Sequence, residues 1–254
     1  VPAVVALLLL VLPLLALVGR VSWDTFWADV TSTVARQALV LSLITAVSAT
    51  VVCTVLGVPL AVLMANGPAR PAAVLRAVVA VPLVMPPMVG GVALLYLLGR
   101  TGFVGRWLDA AFEITIPFST PAVVLAQSFV ALPFLVLSVE GALRRSGARY
   151  ERVAATLGAG RWRTLVQITL PLAAPGIGAG VILCFARALG EFGATALFAG
   201  NAQGRTQTMP LAIYTAFNGA GSGREPAIAM SVLLLATAVV VLLLVRAWRP
   251  GALK

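Results

Sequence analysis

The chain has 254 residues, of which 61% are hydrophobic and only 10% charged. That composition excludes an ordinary soluble domain. Eighteen Lys and Arg against eight Asp and Glu give a net charge of +10, but most of the basic residues sit in short loops beside apolar runs, where they act as topology signals rather than as a nucleic-acid surface.

Absent residue types narrow the function further. The sequence has no histidine, which removes His-based zinc motifs, Ser-His dyads and triads, and His proton relays. Lys254 is the sole lysine, so no Gly-rich phosphate loop ending in Lys-Ser/Thr exists, and any ATPase must be another chain. The stretch Gly219–Gly223 reads GAGSG, which lacks the Gly-x-Ser-x-Gly spacing of a hydrolase elbow. Cys53 and Cys184 fall inside apolar runs and read as small buried hydrophobes without a disulfide. Neither a catalytic constellation nor a metal site is expected. The first residue is Val1, so some N-terminal sequence is expected to be missing. The first apolar run lacks a basic leader and an Ala-x-Ala site, so it is not read as a cleaved signal.

In chain order, six membrane helices fit, as an all-α polytopic protein with one transmembrane domain over 1–254. A bilayer core takes about 20 apolar residues as a helix. The expected spans are 3–18, 38–64, 74–98, 121–139, 173–199 and 227–245. Pro13 kinks the first. The second runs 27 residues, about 40 Å, long enough to tilt. The third contains Pro82, Pro86, Pro87, Gly90 and Gly91, and the fourth carries Gln127 as a polar insert. Backbone breaks of the Pro-Gly kind are tolerated at membrane depth where protein or a watery cavity satisfies the freed groups.

Orientation follows from Arg and Lys. Residues 67–76, 140–163 and the tail from Arg246 hold eleven, and the opposite loops hold six. The first set is therefore expected in the cytoplasm, with both termini. On the other side, 21–37 offers Trp23, Phe26 and Trp27 as interfacial anchors. The outer loop 200–226 predicts a short helix capped by Thr208, with Pro210 in its first turn and Asn218-Gly219 at its end. Leu211, Tyr214 and Thr215 would share one of its faces, and a flexible Gly-Ser link would follow.

Two features can carry chemistry. The first is the basic loop 140–171, with Arg145, Arg149 and Arg152 on one helix face and Tyr150, Val153, Ala154 and Leu157 on another. Gly158 permits a left-handed turn that ends this helix. One reading is an amphipathic helix on anionic lipid; the other is a docking knob for a cytoplasmic partner. The second feature is Arg187 and Glu191, spaced i, i+4 inside the fifth span. A charge at mid-membrane costs about 2.5–3.5 kcal/mol on insertion scales. The pair is either a self-neutralised structural tie or an anion path in which Glu191 keeps Arg187 from becoming a trap. Gly190 and Gly193 beside it allow close packing or a kink.

Tyr150–Pro171 resembles the cytoplasmic coupling loop of ABC importer permeases, through Ala154, Gly158, Ala159, Leu170 and Pro171. The sequence departs from that motif where Arg152 stands at the glutamate position and Val153 at the first alanine, with Glu151 one place earlier. The resemblance is wider than this loop. FARALGEFGAT at 185–195, AGN at 199–201, TQTMPLAIYT at 206–215, PLVMPPMVGG from 82 and TPAVVLAQSFV from 120 resemble the membrane subunits of molybdate ABC importers. Within the molybdate/sulfate branch, the run from Gln207 to Tyr214 is molybdate-like.

The resemblance implies a type I ABC importer permease in a bacterial or archaeal cytoplasmic membrane. It would act as a homodimer with two ATPase copies and an external oxyanion-binding protein, carrying molybdate or tungstate. ATP and Mg would sit on the ATPase, with no cofactor on this chain. Glu151, Arg152, Ala154, Ala155, Gly158, Ala159 and Trp162 would then seat the ATPase. Arg187, Glu191, Gly190, Gly193, Pro86, Pro87 and Gln127 are the candidate path or gate. Thr206, Gln207, Thr208, Tyr214 and Asn218 are candidate contacts for the binding protein. A sulfate permease is the alternative, followed by an ATP-independent anion carrier or channel, which the lack of an inverted repeat disfavours.

Overall fold

The computed structural model describes residues 2–146, 150, 153, 154, 156–219 and 224–247, except the side chains of 146, 242 and 244–247. All regular structure among them is helical. Contacts divide the chain into two units. Of the described residues, one holds those up to Ser42 with 201–247, and the other holds Leu43–Gly200.

In the first unit, α1 (Pro2–Gly19) runs through Pro13 without interruption and buries none of its residues, as suits a helix solvated by lipid. The expected loop after it is a helix, α2 (Trp23–Thr31), in which the Phe26 ring meets Trp23 at a tilt and Trp27 edge-to-face, with centroids 5.4 Å apart in both pairs. Ser32 Oγ accepts the Ala35 N–H at 3.2 Å and starts α3 (Thr33–Asn66), 34 residues long. Ala35 and Ala38 of α3 pack with Met209, Ala212 and Met230. Met209 and Ala212 belong to α10 (Met209–Asn218), and Met230 to α11 (Glu225–Ala247). Thr208 stands at the N-cap of α10 with Pro210 in the first turn, as the sequence predicts, but its hydroxyl makes no cap bond. Ser42 Oγ of α3 takes that role, accepting the Met209 N–H at 2.7 Å. The Gly-Ser link at 220–223 lies outside the described residues.

The second unit contains the rest of α3 and the elements that build the site. The expected third span is two helices, α4 (Ala69–Val84) and α5 (Pro87–Leu98), bent by 112°. Two successive prolines explain the break. Each disfavours helical backbone in the residue before it, and Met85 and Pro86 both have ψ of 132°. After α6 (Gly105–Phe112) comes α7 (Thr120–Ser146), which crosses the centre of this unit.

The expected fifth span is also redrawn. Its helix, α8, begins at Arg161 and ends at Leu189. Leu165–Thr169 form a π turn, closed by Leu170 N–H on Leu165 O. Pro171 follows it directly; it has no N–H, and the widened turn makes room for its ring against the carbonyl one turn back. Gly190 then ends α8, and a separate short helix, α9, covers Gly193–Phe198. Among the described residues, α1, α3, α7 and α8 can each cross a membrane by length and composition, and the bent α4–α5 pair, taken as one span, gives a fifth crossing, against the six expected. The apolar part of α11, Glu225–Val241, is shorter.

Helix α5 lies against α9 with almost no side chain between them. A Cβ on Gly91 would stand 2.8 Å from Ala194 O and 3.0 Å from Ala194 Cα, both backbone. Gly91→Ala should therefore destabilise the detergent-solubilised protein by about 1–3 kcal/mol, because neither backbone can yield. Gly178, on α8, has nothing within 4 Å of its Cβ position, and Gly178→Ala should be neutral or stabilising by up to about 1 kcal/mol. Thermal unfolding midpoints check both.

Candidate functional site

Two broken spans meet at their breaks. Pro87 and Met88, at the start of α5, close on Gly193 at the start of α9, where a Cβ would lie 3.1 Å from Pro87 Cβ and from Met88 N. Beneath them Leu94, Ala122, Val123, Ala126, Val130, Ala194, Phe198 and Ala199 form one apolar cluster from α5, α7 and α9. Residues that stand over 100 positions apart in sequence thus become neighbours, as Pro87 and Gly193 do here, with Pro86 and Gly190 in the same two breaks.

The charged pair sits at this junction. Arg187 is in the last turn of α8, and Glu191 in the three-residue break that follows, so the pair is not inside a continuous helix as expected. Arg187 Nη2 lies 2.6 Å from Glu191 Oε2, with the arginine side chain 25% exposed and the glutamate 1%. The other carboxylate oxygen accepts the Ala194 N–H at 2.8 Å. Glu191 therefore neutralises Arg187 and also satisfies a donor at the start of α9. An arginine in the last turn of a helix is further favoured by that helix's C-terminal dipole. Gln127 on α7 is wholly buried. Neither of its amide atoms has a partner among the described residues, nor does Thr195 Oγ1 or Ser128 Oγ.

At the other end of α8, the elbow formed by residues 150–171 has the predicted helix end where it is described. Gly158 has φ of +80°, and the Ala159 N–H bonds Ala154 O at 3.0 Å. That six-to-one bond with a left-handed glycine is a Schellman cap. Tyr150, Val153, Ala154 and Leu157 line an open apolar cavity of about 430 Å³ with Gln167, Ile168, Pro171 and Leu172 of α8. Leu157 and Trp162 are 82% and 76% exposed, whereas Ala154 is already buried. Glu151, Arg152 and Ala155 lie outside the described residues, as does Arg149.

The five candidate contacts for a binding protein divide. Thr206, Gln207 and Thr208 are buried, and Thr206 Oγ1 accepts the Ala202 N–H at 2.9 Å. Thr206 thus closes the loop that leads into α10, while Thr208 Oγ1 is buried without a partner among the described residues. Tyr214 and Asn218 lie on the surface. Leu211 is buried while Tyr214 is exposed, so their shared face straddles the boundary of the packed side.

A third charged group escaped the sequence reading, which used its members only to count loop charge. Arg76 on α4 and Arg144 on α7 both bind Glu140 of α7, at 2.6 Å and 2.9 Å. The spacing of Glu140 and Arg144 was a visible signal. Arg76, 64 residues away, had none.

Residues 57–253 match the family of binding-protein-dependent transport system inner membrane components. The chain belongs to this family. It is 49% identical over 249 residues to the molybdenum transport system permease protein of Mycobacterium tuberculosis (strain ATCC 25618 / H37Rv), covering 98% of this chain and 93% of the relative. To the sulfate transport system permease protein of Escherichia coli (strain K12) it is 35% identical over 210 residues, covering 82% and 76%. Among solved structures, a bacterial ABC transporter involved in the import of the acidic polysaccharide alginate has the same fold. Its TM-score is 0.76 at 18% identity, covering 100% of this chain and 94% of that one. The chain is thus an all-α, multi-pass membrane permease component of an importer.

Replacing Gln127 tests the cost of its unbonded amide. Gln127→Leu should raise the thermal midpoint, since removing an unsatisfied buried amide recovers about 1–3 kcal/mol. A lowered midpoint would show that the amide is satisfied in the folded protein.

Proposed function

We propose that this chain is the membrane permease of an ATP-driven oxyanion importer whose substrate is molybdate or tungstate. The observation that carries the substrate class is the 49% identity, over nearly the whole chain, to a molybdenum permease, set against 35% to a sulfate permease. The working assembly has two permease copies, a separate ATPase that performs all hydrolysis, and an external binding protein. Six crossings in one transmembrane domain follow if the bent α4–α5 pair counts once and α11 spans. Both termini then share the side of the elbow.

A tetrahedral dianion needs a polar gap through hydrocarbon, but a gap that holds it too well would not release it. Arg187, neutralised by Glu191, meets that need: it offers a cation without a deep well. Pro86, Pro87, Gly190 and Gly193 form the gate around it, because they set the two breaks against each other with little side-chain bulk. Gln127 joins the path when the helices part. Selectivity then rests mainly on the external binding protein, which meets Tyr214 and Asn218 on the outer surface.

The elbow is the ATPase seat. Its exposed Leu157 and Trp162 and its open apolar cavity suit an apolar cleft on a partner, and Glu151 and Arg152 supply the ionic contacts. Through the π turn and Pro171 the seat is continuous with α8, and so with Arg187.

Labelled molybdate uptake into vesicles holding the permease, its ATPase and its binding protein tests this reading. Uptake should need ATP and be blocked by tungstate but not by sulfate. Block by sulfate would move the chain to the sulfate branch, and uptake indifferent to ATP would make it a carrier. Gly158→Asp forces a side chain into left-handed backbone at a cost of about 1–2 kcal/mol. It should abolish uptake while leaving the protein folded in the membrane; normal uptake would remove the elbow from the coupling route.

A further inference from the structure

Glu140 is a carboxylate buried to 4% exposure, six residues before α7 ends at Ser146 and the chain enters the elbow. Arg76 of α4 holds it with Nη2 at 2.6 Å and with Nε at 3.1 Å from each oxygen. Arg144, one turn further along α7, gives Nε at 2.9 Å and also donates to Met64 O near the end of α3 at 3.2 Å. The carboxylate therefore ties the middle of α4 to the last turns of α7, and Arg144 extends the tie to the end of α3.

Stability alone does not call for this arrangement, since a buried ion network is often no more stable than apolar residues of the same volume. Its asymmetry is more informative. One partner of Glu140 rides on the same helix and cannot leave it. The other sits on α4, whose far end is the 112° bend into α5. The bond between helices can therefore break without leaving a buried carboxylate unpaired, which is the costly outcome. A tie that can open at low cost has two discrete states, as a coupling element requires.

We propose that the Arg76–Glu140 ion pair is a latch that opens and closes in the transport cycle. Arg144 is the resident counter-ion that keeps Glu140 neutralised while the latch is open. The latch carries displacement of the elbow from the end of α7 to α4, and by the bend to α5, which is packed on α9 beside Glu191. Glu140 and Arg76 are thus positioning residues that never touch substrate. This inference rests on the importer reading above.

The test measures ATP hydrolysed and molybdate taken up in vesicles containing the permease, its ATPase and its binding protein. Arg76→Gln should keep hydrolysis within about twofold of wild type while uptake per ATP falls about tenfold, the size of effect a coupling residue shows. Arg76→Lys, which keeps the charge but not the forked contact, should fall between the two. Arg144→Gln should act differently: opening would strand Glu140, so hydrolysis and uptake should fall together with their ratio preserved. A wild-type ratio of uptake to hydrolysis in both Arg76 variants would overturn the latch. So would a proportional loss of both activities in Arg76→Gln, which marks a plain structural clamp. A thermal midpoint for each variant separates misfolding from uncoupling, and Arg76→Lys carries the test if Arg76→Gln does not fold. A wild type that imports nothing with ATP overturns the importer reading itself, whereas a working wild type with unaffected Arg76 variants overturns only the latch.

Discussion

Hydrocarbon cannot hydrogen-bond a bare peptide group, so a helix broken within a bilayer must satisfy its loose ends from the protein itself. Two apolar runs of this chain are broken, and the fold answers by setting the breaks against each other. At the start of α5 two of the would-be orphan donors do not exist, because Pro86 and Pro87 have no N–H. At the start of α9 the Ala194 N–H takes Glu191 Oε1. That choice of partner has a consequence: the carboxylate brings a buried negative charge, and Arg187 is what neutralises it. Helix break, carboxylate and arginine form one sequence of necessity. The glycines at 91 and 193 follow from it, since only bare backbone lets α5 and α9 come close enough to cover the junction.

The two ionic groups of this unit obey different logics. Glu191 is held by its own chain on both sides, through Arg187 four residues before it and Ala194 three residues after, so its partners move with it. Glu140 has one local partner and one distant partner. The first arrangement keeps a junction intact while its surroundings move. In the route proposed from the elbow to the junction, the second is the tie that can yield and the first the centre that does not.

Composition and hydropathy were enough to read a membrane protein from the sequence, because a run of Leu, Val and Ala has few other stable environments. The elbow was legible for a local reason: Gly158 and its neighbours encode a helix end within one short stretch, and the Schellman bond from Ala159 to Ala154 closes there. The outer helix was legible from Pro210 and Asn218 in the same way. Other features needed the third dimension. Hydropathy sees the residues from 74 to 98 and from 173 to 199 as continuous; Pro86 and Pro87 mark the first interruption in the sequence, but its 112° bend does not show there, nor does the break at Gly190, which depends on what Glu191 can bond. Ser42 displaced Thr208 as the cap of α10 because it reaches in from another helix, and Arg76 found Glu140 across 64 residues. The burial of Thr206, Gln207 and Thr208 likewise had no local signal, because it depends on helices distant in sequence.

A final constraint comes from what the interior leaves unbonded. Gln127, Thr195 and Ser128 are buried with side-chain atoms that have no partner among the described residues. An unmet polar group in an apolar interior raises the energy of the conformation that contains it. These three residues lie on α7 and α9, the helices that pack around the junction. A rearrangement that admitted water there would recover the lost hydrogen bonds, so this packing is held less deeply than an all-apolar seam would be. If the junction opens in a transport cycle as proposed, the polar groups stranded in this packing bring the two conformations closer in free energy.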